Sequence, residues 1–597
     1  MDEPQLRLRV PRRPLAGRAS LNLAALRAEA AAARAIGDLC GARALLIRCV
    51  ELNPAQDDAL VDLAELCLRL GEAEDALGAL GRVGGALGPR AAAIYGQALI
   101  EVGLYPAAVA ALDALLRDLP ADLDLRVRLA EAQRLAGQPG AARHLRAVLQ
   151  VQPDHPGALA AEGRLRIDLG DAAGALALVT GPRAAGAAGP AAVELGLVAA
   201  DAELGLGRAG AAELRLQGLG PALTATARVE ERIAAARAQR GLAMEARAAL
   251  ERLDGAGELS PAGRLSLAGL RAHMGDPEGG LRLLSEAVGW SAAALPRREQ
   301  LRGRMLEQRG DHGAAALAFG EAFERARVAA PRPGPLDWGC IDEITALNDA
   351  KALRQGAWAR TRGGRPVFVV GAAGAGTRLI GRIVSGWSRG AAAPPAWGLP
   401  GLLRLLRPDA ERSPAAALSA LPAAALDGLA ARWRGGAPAD AAAPQVDAGP
   451  DLLLYLGVIA RIFPDARVIF VEREPMDRAL SAWSCWGPAD GPCAGLLELV
   501  ERGAAAEALA AHWRRVLPLR SVTVHYEALV AQPERTLAGL RRGLGLAALP
   551  ARALLAGAVP RRLGAPALDT EGVGRWTRFA NLAESLDLAR RCGLKQG

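Results

Sequence analysis

The stretch PDARVIFVEREPMDRALSAW, residues 464–483, decides the fold of the C-terminal half of this chain. Its apolar run Val468–Val471 predicts a buried strand, which ends at Arg473. Pro475 suits the first turn of a helix, and that helix carries Ser481. A guanidinium at a strand end and a hydroxyl nearly two turns into the next helix are therefore placed to bind one anion.

A second strand-loop-helix unit lies upstream in PVFVVGAAGAGTRLIG, residues 366–381. Small residues in its loop let backbone N–H groups approach an anion, and the helix that begins near Gly376 adds its positive dipole end. A Walker A loop requires lysine where Thr377 stands, and a dinucleotide-binding fingerprint requires glycine where Leu379 stands. The pattern therefore disfavours a P-loop kinase or NTPase, while two such units predict a nucleotide held at two phosphates.

Composition changes sharply near residue 330 of the 597-residue chain. Of ten tryptophans only Trp290 precedes Trp338, and the N-terminal half is rich in the helix formers Ala, Leu, Arg and Glu. PRPGP at residues 331–335 is a natural joint. We expect an α-helical half and an α/β half with a parallel sheet: an extension at 1–22, a helical array at 23–330, a linker at 331–364 and an α/β domain at 365–597.

Glycines recur every 32 to 37 residues in the first half, and a small residue follows each by five positions. The glycines are Gly37, Gly71, Gly103, Gly137, Gly170, Gly207, Gly241, Gly275 and Gly310. The small residues are Ala42, Ala76, Ala108, Ala142, Ala175, Ala212, Ala246, Gly280 and Ala315. Each unit predicts a helix, a turn at the glycine and a second helix that crosses closely at the small residue.

This pattern resembles the tetratricopeptide repeat (TPR) in about nine units, although Leu and Ala mostly replace the repeat's usual aromatics. The alternative is a generic Ala-rich helical array. A TPR solenoid implies a groove that binds a protein or peptide, without identifying that partner.

Bulk properties exclude several classes of protein. The net charge of +8 is spread along the chain with no basic block among aromatics, so we expect no nucleic-acid partner. Seven widely spaced cysteines without a CxxC pair indicate reduced thiols in a cytoplasmic protein. The sequence contains no run of about 18 uncharged apolar residues, so we expect no insertion into a membrane. The histidines lack metal-ligand spacing, so no metal is expected.

Residues 365–582 resemble the sulfotransferases that use PAPS (3′-phosphoadenylyl sulfate), in the branch that bacteria commonly fuse to TPR arrays and that is similar to protein-tyrosine sulfotransferases. The family signature F-P-x-A-[KR]-I-I-x-x-R-R-D-P-x-D-x-x-L-S matches residues 463–481 closely. Its loop V-G-x-P-R-S-G-T-T aligns with residues 367–380. Three further motifs follow the family's order: DAGPDLLLYLG at 447–457, YEALV at 526–530 and VGRW at 573–576.

The resemblance implies a P-loop-like sulfotransferase domain and assigns roles to several residues. Arg473 and Ser481 would hold the 3′-phosphate, and the loop with Thr377 would cradle the 5′-phosphosulfate. Arg575 would reach the 3′-phosphate when the end segment folds over. The implied PAPS-binding residues are Gly374, Ala375, Gly376, Thr377, Arg378, Arg473, Ser481 and Arg575.

Departures from the family lie where catalysis needs charge. The family's loop arginine or lysine falls at Gly374, its serine at Ala375 and its second threonine at Arg378, while its D-K-x-P lysine falls at Ala448. The family's catalytic glutamate should lie near residue 395, where AAAPPAWGLPG has no carboxylate. Arg378 is the candidate that replaces the missing charge, and no base is identified. The sequence therefore predicts a sulfotransferase, with a non-catalytic TPR scaffold that retains a degenerate domain as the alternative.

Overall fold

A computed structural model describes residues 23–328, 338–360, 365–387, 413–434, 445–485, 495–546 and 570–579, with Leu399, Leu403 and Pro550. Short gaps within these ranges lie at 37, 54–55, 71, 85–86, 139, 221–225, 286–289 and 291–293. The chain divides into two compact units, one of residues 1–148 with 289–293 and one of residues 149–288 with 294–597. This division falls within the helical repeats, whereas the sequence places the domain boundary at 331–364.

The first unit consists of consecutive helices that pack as neighbours along the chain. They are α1 (Leu23–Ala35), α2 (Leu39–Leu52), α3 (Asp57–Arg69), α4 (Ala73–Leu80), α5 (Pro89–Val102), α6 (Tyr105–Asp118) and α7 (Leu123–Leu135), followed by α8 (Ala141–Val151), which runs past residue 148. The core of the first helices is built from Leu and Ala, for example Leu60 and Ala76. The same pattern of helix pairs continues in the second unit.

The repeats of the second unit are α9 to α18. They are α9 (Pro156–Asp168), α10 (Ala172–Val179), α11 (Pro190–Gly205), α12 (Ala209–Gln217), α13 (Ala227–Gln239), α14 (Ala243–Gly255), α15 (Pro261–His273), α16 (Pro277–Ser285), α17 (Leu295–Gln308) and α18 (His312–Val328). No described helix is long and apolar enough to span a membrane.

The predicted turn glycines have the backbone that the repeat requires. Seven of the nine have φ between 70° and 92°, a left-handed conformation that a side chain disfavours: Gly103, Gly137, Gly170, Gly207, Gly241, Gly275 and Gly310. Gly37 and Gly71 lie outside the described residues. The prediction of a turn at these glycines is confirmed at the seven that the structure describes.

The predicted small residues are buried at helix crossings in eight of nine cases, and Ala142 is the exception. Ala142 is only half-buried, while Ala141 is 1 % exposed. Helix α8 begins four residues after Gly137, whereas α6 and α10 begin two residues after their glycines. The later start of α8 changes which of its residues face inward, so that Ala141 is buried and Ala142 is only half-buried. The placement of Ala142 at the contact was wrong.

The α/β part contains a four-stranded parallel sheet in the order β2-β1-β3-β4. The strands are β1 (Val367–Gly371), β2 (Val446–Ala448), β3 (Arg467–Glu472) and β4 (Arg520–His525). Its helices are α19 (Ile341–Leu347), α20 (Ala350–Gln355), α21 (Thr377–Gly386), α22 (Pro414–Ser419), α23 (Ala423–Arg434), α24 (Leu456–Ile462), α25 (Pro475–Cys485), α26 (Leu496–Val516), α27 (Tyr526–Ala531) and α28 (Pro533–Gly543). The predicted parallel sheet is confirmed.

The last helix pair of the repeats packs directly on this α/β part, within the same unit. The ring centroids of Phe319 in α18 and Trp483 in α25 lie 5.4 Å apart. Both belong to one buried apolar cluster with Phe323, Met476 and Phe579. The final repeat therefore shares a core with the domain that follows it.

Candidate functional site

The loop between β1 and α21 lies with its backbone against helix α25. Gly374 has φ +81°, and a Cβ there would lie 2.1 Å from the carbonyl oxygen of Arg478 and 2.8 Å from the amide nitrogen of Ala482. Gly376, with φ +100°, forms the N-cap of α21. The loop therefore needs glycine at both positions, and at Gly374 the family's arginine or lysine does not fit this backbone.

Arg473 lies at the end of β3 with its side chain turned onto that loop. Its Nη1 donates a hydrogen bond to the carbonyl oxygen of Gly374 (3.0 Å), and its Nη2 donates to that of Gly572 (2.5 Å). Its Nε is buried and has no acceptor among the described residues. Burial lowers the pKa of this guanidinium, although the neighbouring Tyr526 acts in the opposite direction. A buried cation with an unused donor is suited to binding an anion.

Residues 570–579, which we call the VGRW segment, are fixed beside Arg473. Both carboxylate oxygens of Asp477 accept backbone hydrogen bonds from this segment, from Gly574 N (2.6 Å) and Trp576 N (2.8 Å). Asp477 lies in the first turn of α25, two turns from the end of that helix. The segment that the sequence identified by resemblance therefore lies at the predicted phosphate site.

Arg575 of the VGRW segment has a partner that the sequence did not indicate. Its Nε and Nη2 donate to the two carboxylate oxygens of Glu307 in α17, at 2.6 and 2.5 Å. Its Nη1 donates to Ser484 Oγ (2.9 Å). Its three hydrogen bonds thus run to the last repeat pair and to α25, and a direct role at the 3′-phosphate stays a prediction.

The other predicted residues are divided between the buried and the exposed side of the loop. Ala375 and Thr377 are buried, whereas Arg378 is exposed on the first turn of α21. Ser481 is half-buried on α25, and its carbonyl oxygen accepts a hydrogen bond from Ser484 Oγ (3.4 Å). The structure thus brings Gly374 and Arg473 together, and Arg378 lies on the solvent side.

A cavity of about 410 Å³ opens beyond the ends of β3 and β4. Ligands of parallel α/β sheets bind at this edge. The cavity is lined by charged side chains, namely Glu472, Arg473, Glu474, Glu507, Arg514, His525 and Glu527, together with Pro475. The sequence motifs did not single out these carboxylates, although Glu472 and Glu474 flank Arg473 in the signature itself. No three His, Cys, Asp or Glu side chains of the described residues form a metal-binding group.

Hydrogen bonds hold both the side chain and the backbone of Glu474, one of these carboxylates. Its Oε2 accepts a hydrogen bond from Asp477 N (2.6 Å), while its own N–H donates to Glu527 Oε1 (2.8 Å). Burial raises the pKa of the Glu474 carboxyl, and the backbone hydrogen bonds oppose that shift. Its Oε1 is buried with no donor among the described residues. A carboxyl group with a raised pKa in a cleft is a candidate for proton transfer.

Residues 366–550 match the family model described as the sulfotransferase family. The C-terminal domain is a sulfotransferase-family domain. Its loop, its strand-end Arg473 and its parallel sheet lie inside the matched residues, and the prediction of this family from the sequence motifs is confirmed. No curated protein matches the chain.

Solved structures of helical-repeat proteins are similar to part of the chain. The human IFIT1 dimer with m7Gppp-AAAA shares 15 % identity, covering 57 % of this chain and 83 % of that one at a TM-score of 0.36. Yeast Tom70 shares 11 % identity over 52 % and 86 %, at a TM-score of 0.31. The Cut9–Hcn1 hetero-tetramer of the APC/C shares 9 % over 54 % and 69 %, at 0.34. Because these TM-scores are low, the TPR assignment rests on the glycine turns and the buried small residues of this chain.

At this loop the sulfotransferase domain has the N-terminus of α21 and no side-chain cation at Gly374, while the N–H of Ala375 donates to the carbonyl oxygen of Ala372 (3.1 Å). Arg473 is a buried cation beside this loop, and it donates a hydrogen bond to the Gly374 carbonyl oxygen at 3.0 Å. Residues 388–398, where the family's catalytic glutamate is expected, lie outside the described residues. The described geometry therefore supports anion binding more directly than it supports acceptor activation.

Proposed function

We propose that this chain is a bacterial, cytoplasmic sulfotransferase that transfers a sulfuryl group from PAPS to a hydroxyl of a protein or other acceptor presented by the TPR array. The observation that carries this proposal is the buried guanidinium of Arg473, which contacts the loop and whose Nε has no acceptor among the residues that the structure describes. PAPS carries phosphate and phosphosulfate groups, and the donors present at this sheet edge fit such anions.

The resemblance to the sulfotransferase family supplies the proposed roles of the residues. Arg473 would bind the 3′-phosphate together with Ser481, while the backbone of Gly374, Ala375 and Gly376 with Thr377 would bind the 5′-phosphosulfate. Arg575 would contact the 3′-phosphate from the VGRW segment. PAPS supplies an activated sulfuryl group; its sulfur forms a bond to the acceptor oxygen as the bond to the 5′-phosphate oxygen breaks. The acceptor proton passes to a base.

One group that would be expected to assist catalysis, a cation beside the departing phosphate oxygen, is missing from the loop. The departing phosphate oxygen gains negative charge, which the N-terminus of α21 and the loop amides stabilise. The family's loop cation is replaced by Gly374, and removal of one such donor typically costs about a hundred- to a thousand-fold in rate. We therefore expect nucleotide binding with slow transfer.

A second candidate is a non-catalytic TPR scaffold whose degenerate sulfotransferase domain retains nucleotide binding. Gly374 favours it, because the contact of the loop backbone with Arg478 and Ala482 leaves no space for the family's cation. The two candidates share the anion site and differ only in whether sulfuryl transfer occurs.

Calorimetric titration with PAP, the desulfated nucleotide, tests the shared part. Arg473→Ala should weaken PAP binding by about 2–4 kcal/mol, the cost of losing a buried charged hydrogen bond. Arg515→Ala, an exposed arginine on α26, is the matched control and should leave binding unchanged. No binding by the unmodified protein, or equal binding by Arg473→Ala, would refute the anion site.

A labelled-PAPS assay with hydroxyl-bearing peptides and small acceptors separates the candidates. Transfer that is slow but measurable supports the sulfotransferase. PAP binding without transfer to any acceptor supports the non-catalytic scaffold.

A further inference from the structure

Two side chains hold Arg575 of the VGRW segment and leave part of its guanidinium unused. Glu307 in α17 accepts from Nε and Nη2, and Ser484 in α25 accepts from Nη1. A guanidinium has five N–H donors, so one donor on each terminal nitrogen has no acceptor among the described residues. Two neighbouring donors of this kind match two oxygens of a phosphate group.

Helix α25 and the VGRW segment connect Arg575 to the other residues proposed for the 3′-phosphate. Ser484 lies three positions after Ser481, on the same face of the helix, and its Oγ donates to the carbonyl oxygen of Ser481 (3.4 Å). In the same segment, the carbonyl oxygen of Gly572 accepts a hydrogen bond from Arg473 (2.5 Å). The seated segment therefore brings Arg575 to this site without breaking any of these contacts.

The positive charge of Arg575 acts on Arg473. Burial is the main cause that lowers the pKa of the Arg473 guanidinium, and Arg575 adds a smaller shift in the same direction. Neighbouring cations repel each other, and an anion that binds both removes this cost. Before such an anion binds, the carboxylate of Glu307 offsets the repulsion. It thereby allows a second guanidinium to lie close to Arg473.

Glu307 is itself held on a packed helix. It lies in the last turn of α17, and the preceding residue, Leu306, belongs to the buried cluster that contains Trp483 and Phe579. Glu307 and Arg575 are paired at 2.6 and 2.5 Å, with side chains 14 % and 13 % exposed. A largely buried bidentate pair fixes the plane of the guanidinium. The orientation of Arg575 is therefore set by the last repeat pair.

We propose that Glu307 is a positioning residue for the nucleotide site, which orients Arg575 so that its two remaining donors bind the 3′-phosphate. This inference rests on the proposed function, since the 3′-phosphate belongs to PAPS. Glu307 does not contact the nucleotide and acts only through Arg575. The VGRW segment stays seated when the nucleotide binds. The nucleotide site is thus built from the repeat array as well as from the sulfotransferase domain.

Glu307→Gln tests this role in the full-length protein, because it removes the charge and keeps the shape. Calorimetric titration should show PAP affinity lowered by about 3- to 10-fold, as expected for one ion pair that acts indirectly. The affinity for adenosine 5′-phosphate, which lacks the 3′-phosphate, should be unchanged. Glu278→Gln is the matched control, because Glu278 of α16 pairs with Arg309, which directly follows α17, at 2.8 Å. It should change neither affinity.

A double-mutant cycle shows whether Glu307 acts through Arg575. In an Arg575→Ala background, Glu307→Gln should cause no further loss of PAP affinity. A further loss there, or equal losses for the two nucleotides, would mean a general structural role and would overturn the inference. Unchanged or tighter PAP binding by Glu307→Gln alone would also overturn it. These results leave the proposed function standing, whereas absence of PAP binding by the unmodified protein would refute both.

Discussion

The guanidinium of Arg473 lies over the ring of Tyr526, with Cζ 4.2 Å from the ring centroid. The same ring faces the loop, because a Cβ on Gly376 would come within 3.0 Å of Tyr526 Cδ2. One aromatic side chain therefore lies against both the strand-end arginine and the loop between β1 and α21. We expect Tyr526→Leu to weaken PAP binding by about 1–2 kcal/mol through loss of a desolvated cation–π contact. Calorimetric titration measures this change.

Tyr526→Phe is the control for the ring itself, because it keeps the aromatic face under Arg473. Its effect on PAP affinity should be smaller than that of Tyr526→Leu. Equal losses in the two variants would mean that the hydroxyl matters and the ring does not.

Substitution of Gly374 should destabilise the domain without improving catalysis. Gly374→Arg with Ala375→Ser would bring back the family's loop residues, but a Cβ at Gly374 would lie 2.1 Å from the Arg478 carbonyl oxygen. The left-handed backbone alone costs a side chain about 1–2 kcal/mol. Denaturant unfolding should show at least this loss for Gly374→Ala.

Gly428→Ala in helix α23 is the matched control, because a Cβ there meets nothing within 4 Å and alanine favours a helix. It should be neutral or stabilising. A Gly374→Arg, Ala375→Ser variant with unchanged stability and faster transfer would contradict the packing argument.

Overpacking should distinguish the neighbouring residues Ala141 and Ala142. Ala141 is 1 % exposed, so Ala141→Trp should destabilise the array by about 1–3 kcal/mol, the usual cost of excess core volume. Ala142 is half-buried, and Ala142→Trp should cost clearly less. Thermal and denaturant unfolding compare the two variants. A larger loss of stability for Ala142→Trp than for Ala141→Trp would show that Ala142, as predicted from the sequence, is the more tightly packed residue.

Asp447 should make stability depend on pH. Its carboxylate accepts hydrogen bonds from Leu399 N (3.2 Å) and Trp433 Nε1 (3.4 Å), and burial raises the pKa of this carboxyl despite them. A carboxyl whose pKa is raised on folding contributes stability that is complete below the ordinary aspartate pKa of about 4 and is lost as the pH rises through the folded value. Asp447→Asn should therefore gain stability relative to the unmodified protein as the pH rises from 4 to 8.

Urea unfolding across this pH range measures the difference between the two proteins. Asp465→Asn, at an exposed aspartate after α24, serves as the control. A difference for Asp447→Asn that stays constant with pH would show that the carboxyl does not carry this effect.

Local patterns in the sequence predicted much of the fold and part of the site. The glycine turns and the strand that ends at Arg473 are set by residues close in the chain, and both were recognisable. The pair Glu307–Arg575 was not, because its partners are 268 residues apart and nothing in either local sequence indicates the other. The requirement for glycine at position 374 also could not be predicted locally, because it arises from a tertiary contact between the loop and helix α25. The register of α8 failed for a local reason, a longer turn after Gly137.

The shared core of Phe319 and Trp483 also has a consequence for the evolution of such chains. Duplication or deletion of whole repeats leaves this contact intact only if it takes place upstream of α17. We therefore expect the final helix pair to be inherited together with the sulfotransferase domain. We expect relatives of different array length to vary in their earlier repeats and to keep an aromatic or large apolar residue at the position of Phe319.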